Sequence, residues 1–123
     1  MSDYEAYRTA WRRRWGEEAR LGEQRRRGAQ AYAQRLANLL ATEYEVKKVI
    51  LFGSALAPGA FRENSDIDLA VEGLSKERFF EAYGTLSWSS PYDVDLKPIE
   101  NLTPLIQARV REGSVLYEAR ESS

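Results

Sequence analysis

The chain has 123 residues, enough for one domain with a modest core. It carries 18 Lys and Arg against 19 Asp and Glu, and neither cysteine nor histidine. Disulfides, thiolate metal sites, cysteine nucleophiles, a histidine general base and a Ser-His-Asp triad are therefore excluded, and any bound metal must sit on oxygen ligands, which favours Mg2+, Ca2+ or Mn2+.

Residues 1–48 hold 11 basic and 7 acidic side chains, and residues 49–123 hold 7 and 12, so the front is basic and the back acidic. The first 45 residues are predicted to be helical. Ser2 and Glu5 fit a capping box. Tyr4, Tyr7, Trp11 and Trp15 recur at spacings of three and four, which puts them on one helix face. Such a stripe is expected to be buried, against the domain itself or against another chain, a partner protein or a second copy. Glu23 precedes Arg27 by four, a favourable helical pair. Gly22 and Gly28 weaken the middle of this stretch, so a break or bend is expected near Gly28. A second helix would follow, with Tyr32, Leu36, Leu39 and Leu40 as its buried stripe. The Arg triplets at 12–14 and 25–27 each cover most of a helical turn and make no single basic stripe. They read as a solvated face partnered by Glu17, Glu18 and Glu23, not as a nucleic-acid surface.

"KKVILF", Lys47 to Phe52, is short, apolar and β-branched, and predicts a buried strand. Gly53-Ser54 ends it, and Pro58, Gly59 and Asn64 mark a loop. "DIDLAV", Asp66 to Val71, is the second strand, closed by Gly73. Ser75 caps a helix over "KERFFEAYGTL". "SWSSP" leads to a third strand, Tyr92 to Ile99. Thr103-Pro104 starts a last helix that ends at Gly113, and "VLYEA" adds a short final strand. The class is α/β (α+β): a small mixed sheet flanked by helices, with an N-terminal helical extension over 1–28 ahead of the main domain, 29–123. No apolar run reaches the roughly 18 residues of a membrane span, and the N-terminus lacks the apolar core of a signal peptide, so a cytoplasmic protein is expected.

The second strand spends two carboxylates inside its apolar pattern. Side chains alternate faces, so Asp66 and Asp68 point one way while Ile67, Leu69 and Val71 point into the core. Two like charges on one face, about 7 Å apart at Cα, repel unless a cation lies between them. Asp93 and Asp95 also share a face, and either could complete a three-carboxylate cluster if their strand is adjacent. Such a cluster can hold two Mg2+ ions, which stabilise the attacking and leaving oxygens of an in-line phosphoryl displacement. Gly53-Ser54 would expose backbone N–H groups and a hydroxyl to the terminal phosphates of a nucleotide.

Gly-Ser, a loop, Asp-x-Asp and a later strand Asp resemble the signature of the polymerase-β-like nucleotidyltransferases. "LFGSALAPGAFRENSDIDLAV" is most similar to the minimal nucleotidyltransferase (MNT) branch, and "YDVDLKPIENLTPLIQARVREGSVLYE" resembles that branch's third-carboxylate strand, following helix and C-terminal ending. The resemblance covers about residues 36–119 and leaves the first 35 outside. It implies that Gly53 and Ser54 hold the triphosphate of ATP, that Asp66 and Asp68 bind the metals, and that Asp95, between Val94 and Leu96, is the third carboxylate. Two departures stand out. Eleven residues separate Ser54 from Asp66 where the pattern usually has ten, and Ala55 occupies a commonly basic position. The resemblance further implies AMP transfer to a hydroxyl, and a helical HEPN partner. In several such pairs the partner is an RNase toxin adenylylated on tyrosine and the MNT protein is its antitoxin. Two other functions remain open: a two-subunit transferase acting on a small molecule, and a non-catalytic partner-binding module.

Overall fold

The computed structural model describes residues 3–62 and 64–120. Helix α1 (Asp3–Tyr44) leads to strand β1 (Lys48–Phe52), then a 3-10 turn over Gly53–Leu56 and strand β2 (Ile67–Glu72). Helix α2 (Lys76–Ser89), strand β3 (Val94–Pro98), a second 3-10 turn (Ile99–Asn101), helix α3 (Pro104–Arg111) and strand β4 (Ser114–Glu118) follow. The sheet order is β3-β2-β1-β4. β1 is antiparallel to both β2 and β4, and β2 is parallel to β3, so the sheet is mixed.

The alternation of the strands decides which side each helix covers. Val49, Leu51, Ile67, Leu69, Val71, Val94 and Leu96 bury one face of the sheet against α1 and α2. Ile50, Phe52 and Ala70 face the other way and are covered by Val110 and Ile106 of α3. Leu36 and Leu40 are buried as the helical spacing predicts, and Tyr32 and Leu39 pack at the margin of the same core. Each buried leucine contributes about 1.5–3 kcal/mol. Ala29, Ala33 and Ala37 complete the stripe; their small side chains bring the helix axis close to the sheet. α1 and α2 are fastened by a Tyr44–Thr85 hydroxyl contact at 3.1 Å, by Arg78 donating to the Glu43 carbonyl at 3.0 Å, and by the same guanidinium stacked over the Tyr44 ring. Thr103 caps α3, its hydroxyl accepting from the Ile106 N–H at 3.4 Å.

The N-terminal region differs from the expectation in one respect. α1 is a single helix of 42 residues with no break at Gly28. Gly28 serves a close approach: a Cβ there would lie 2.8 Å from the Tyr92 hydroxyl. A mid-helix glycine costs about 1 kcal/mol, too little to end a helix anchored by packing on one side and by Glu23–Arg26 and Glu23–Arg27 ion pairs on the other. Of the two burials expected for the aromatic stripe, against the domain itself or against another chain, the first does not occur. Within the chain it is not buried: Tyr4, Tyr7 and Trp15 are more than 60% exposed, and residues 3–20 are exposed throughout. The reason is geometric. Trp11 and Trp15 precede Ala29 and Ala33 by 18 residues, five turns, so they lie on the face of α1 that meets the sheet, but among the described residues no strand lies beneath that part of the helix. Edge-on ring contacts Tyr7–Trp11 and Trp11–Trp15 tie the stripe together. Ser2, and with it the capping box, lies outside the described residues.

Candidate active site

The sheet brings the sequence-predicted residues to one end. β1 finishes at Phe52, whose backbone partner on β2 is Asp68. Asp68 in turn pairs in register with Asp95 on β3. Asp66 lies just before β2, exposed, where the chain leaves the loop. Asp93 lies just before β3; its carbonyl accepts the Ile67 N–H at 2.8 Å, a backbone contact that sets the start of the β2–β3 pairing. Its side chain is exposed. Asp95 and Lys97 share the sheet face of Asp68, and the Lys97 ammonium pairs with the Asp95 carboxylate at 3.1 Å.

Gly53 closes the site on the β1 side. Its φ of +83° lies in the left-handed region, and a Cβ there would collide with the Asp68 carboxylate. The turn Gly53–Leu56 is pinned from below by Ala55, fully buried in the core, and from α1 by the Gln30 amide, which donates to the Ala55 carbonyl at 2.8 Å. Ser54 is left half-buried beside a groove of about 420 Å3 lined also by Gly53, Leu56, Ala57, Ala60, Arg109 and Glu112.

The charges at this end are unbalanced. Burial, followed by the Asp95 and Asp66 carboxylates, pushes the Asp68 carboxyl up to about 6, while Lys97 and Arg109 oppose the shift. Among the described residues no three acidic side chains close into a ready-made metal cage. The donor set nevertheless fits a hard divalent cation: every ligand type is oxygen, and Asp68 is short of positive charge. Asp66, Asp68 and Asp95 are the residues that would hold it.

Sequence reasoning missed three participants. Lys97 was legible, since Asp95-x-Lys97 follows the same alternation as Asp66-x-Asp68. Gln30 and Arg109 were not, because both reach the site only through tertiary packing.

The chain belongs to the polymerase beta nucleotidyltransferase family, whose model matches residues 34–122. It is a nucleotidyltransferase by that membership, with an α/β fold of the corresponding kind. No curated protein matches the chain by sequence. Among solved structures, it is 25% identical to a chain of a toxin–antitoxin crystal structure with AMP-PNP, with a TM-score of 0.59 and coverage of 71% of this chain and 74% of that one. The fold is shared with the toxin–antitoxin MntA-HepT (24% identity, TM-score 0.55, 73% of each chain). It is shared also with a complex of tri-AMPylated Shewanella oneidensis HEPN toxin and MNT antitoxin (23% identity, TM-score 0.55, 74% of this chain and 73% of that one).

Proposed function

We propose that this nucleotidyltransferase uses ATP with Mg2+, two ions at Asp66, Asp68 and Asp95, to transfer AMP to a tyrosine hydroxyl of a helical HEPN-type partner, and that it acts as the antitoxin of that pair in the cytoplasm. The observation that carries the reading is the juxtaposition of Gly53 with Asp68, and of Asp68 with Asp95, at the end of three adjacent strands. This juxtaposition supports reading the turn as the phosphate grip and the carboxylates as the metal ligands, the pairing that phosphoryl transfer requires. The reaction balances as a displacement. The acceptor oxygen bonds to the α-phosphorus, the bond from that phosphorus to the bridging oxygen breaks, pyrophosphate leaves with the electron pair, and the hydroxyl proton passes to Asp95 or to solvent. The divalent ions, when bound, neutralise charge on the phosphates; the chain's own residues supply position, with Gly53 and Ser54 at the triphosphate and the sheet register fixing the carboxylates.

The structures named above support the nucleotide and the acceptor, one holding AMP-PNP and another an AMPylated HEPN toxin. The partner reading also draws on α1. Residues 1–28 are assigned to a docking extension, whose exposed Tyr4, Tyr7, Trp11 and Trp15 form an aromatic face of the kind that marks interaction surfaces. Among the described residues no helix is long and apolar enough to cross a membrane.

The test is a transfer assay with labelled ATP, Mg2+ and a co-purified partner. Wild-type protein should label the partner, and the Asp66→Asn, Asp68→Asn double variant should not. Full labelling by the double variant would remove the carboxylates from the reaction.

A further inference from the structure

Among the described residues, one cationic side chain lines the groove beside Ser54, and it forms no ion pair. Its walls are Gly53, Ser54, Leu56, Ala57 and Ala60 from the turn and loop after β1, and Arg109 and Glu112 from the end of α3. The turn supplies no positive side chain of its own, since Ala55 is fully buried and its neighbours are Ser54 and Leu56. Arg109 forms no ion pair among the described residues, although Glu112 lines the same groove. Its position is set by the core. The next residue, Val110, is buried against Ile50, Phe52 and Ala70, and the helix end is closed by Glu112 N–H donating to the Arg109 carbonyl at 3.2 Å and Gly113 N–H to the Val110 carbonyl at 2.9 Å. α3 thus presents its C-terminal end to the groove, the end whose partial charge repels an anion. A guanidinium there reverses the local sign.

We propose that Arg109 binds the β- and γ-phosphates of the nucleotide and neutralises the departing pyrophosphate. The assignment rests on the nucleotide reading above and adds the residue that grips the leaving group. When the bond between the α-phosphorus and the bridging oxygen breaks, the electron pair goes to the pyrophosphate, and negative charge grows on the side of the α-phosphorus away from the acceptor. The carboxylates of Asp66, Asp68 and Asp95 carry the wrong sign to stabilise that charge by direct contact. A guanidinium fork facing Gly53 and Ser54 is suited to it, because its planar donors match two phosphate oxygens at once. The proximity of Arg109 to the carboxylate end agrees with its electrostatic influence on Asp68.

The experiment is calorimetric titration of the full chain with ATP and with AMP, both in excess Mg2+, for wild type, Arg109→Ala, Arg109→Lys and Arg111→Ala. Arg109→Ala should weaken ATP binding by about tenfold or more, as expected for loss of one charge-assisted contact, and leave AMP binding within about twofold. Arg109→Lys should fall between. Arg111→Ala removes an equal charge two residues away, outside the groove lining, and should change neither ligand. Arg109 is exposed, so the melting temperature should stay the same in all three variants. Equal ATP affinity in wild type and Arg109→Ala, or an equal loss for ATP and AMP, would overturn the assignment. If wild type binds neither nucleotide, the nucleotide reading itself falls, and this inference with it.

Discussion

The carboxylate of Asp68 lies against the backbone of Gly53, in the space that a Cβ at position 53 would occupy. The turn after β1 and the carboxylate on β2 are therefore one mechanical unit. Gly53→Ala should displace Asp68 and strain a backbone at φ +83°. The expected result is a loss of transfer activity of about 100-fold or more, by displacement of the carboxylate, with about 1–2 kcal/mol of stability lost to the left-handed backbone. Activity and chemical denaturation of the same preparation test both parts. A fully active Gly53→Ala would show that the contact does not set the site.

Asp68 carries a pH signature. Its carboxyl is raised to about 6, first by burial and then by Asp95 and Asp66, so the folded chain holds this proton more tightly than the unfolded one. The stability contributed by the protonated group is complete below about pH 4, declines as pH rises toward 6, and is lost above it. Without divalent cation, Asp68→Asn should then melt higher than wild type at pH 7.5 and alongside it at pH 3.5. Mg2+ should raise the wild-type melting temperature at pH 7.5 far more than at pH 5, where protons compete for the carboxylate, and should raise that of Asp68→Asn little. Scanning calorimetry over these conditions checks the sign. Coincident melting of the two proteins at pH 7.5 would contradict it.

Asp95 and Asp93 separate by location. Asp95 pairs in register with Asp68, whereas Asp93 precedes the strand and contributes its carbonyl to Ile67. Asp95→Ala should reduce transfer at saturating Mg2+ by about 100-fold or more, the scale of losing a charge-stabilising group. Asp93→Ala should cost less than about threefold, since its backbone contact survives the substitution. Steady-state rates of the two variants decide between them, and a larger loss at Asp93 would reverse the assignment.

What the sequence showed and what it hid follow from the range of the forces involved. β1 and β2 were legible because apolar β-branched runs admit few other readings, and Asp66-x-Asp68 was legible because a period of two needs no tertiary information. The β2 boundary fell one residue later than expected, at Ile67, which leaves Asp66 on the loop side of the strand start. The parallel β2–β3 pairing that sets Asp68 opposite Asp95 comes from the crossover through α2, which no local pattern encodes. The unbroken α1 was missed because Gly28 reads locally as a weak point. Its actual constraint, the Tyr92 hydroxyl, comes from 64 residues later in the chain. Arg109 shows the same limit: its spacing on α3 looks like any exposed helical arginine until Val110 fixes the helix on β1.

The N-terminal extension gives a separable prediction. Every residue from 3 to 20 is exposed, and the first buried side chain of α1 is Ala29. Removing residues 2–20 should therefore leave the domain folded, with a change in stability below about 1 kcal/mol, as for exposed surface residues. It should weaken association with the partner or with a second copy, because two of the three tryptophans and their ring contacts go with it. Circular dichroism and sizing of the truncated chain, alone and with the partner, provide the check. Unfolding would place the segment in the core, and unchanged association would place the interface elsewhere.

The most direct measurement is the intact mass of the helical partner after co-expression with this chain, followed by peptide mapping. Wild-type protein should leave AMP on a partner tyrosine, and the Asp66→Asn, Asp68→Asn double variant should leave the partner unmodified. A partner that stays unmodified beside the wild-type chain in a stable complex, or one modified equally by the double variant, would contradict adenylyl transfer from this site.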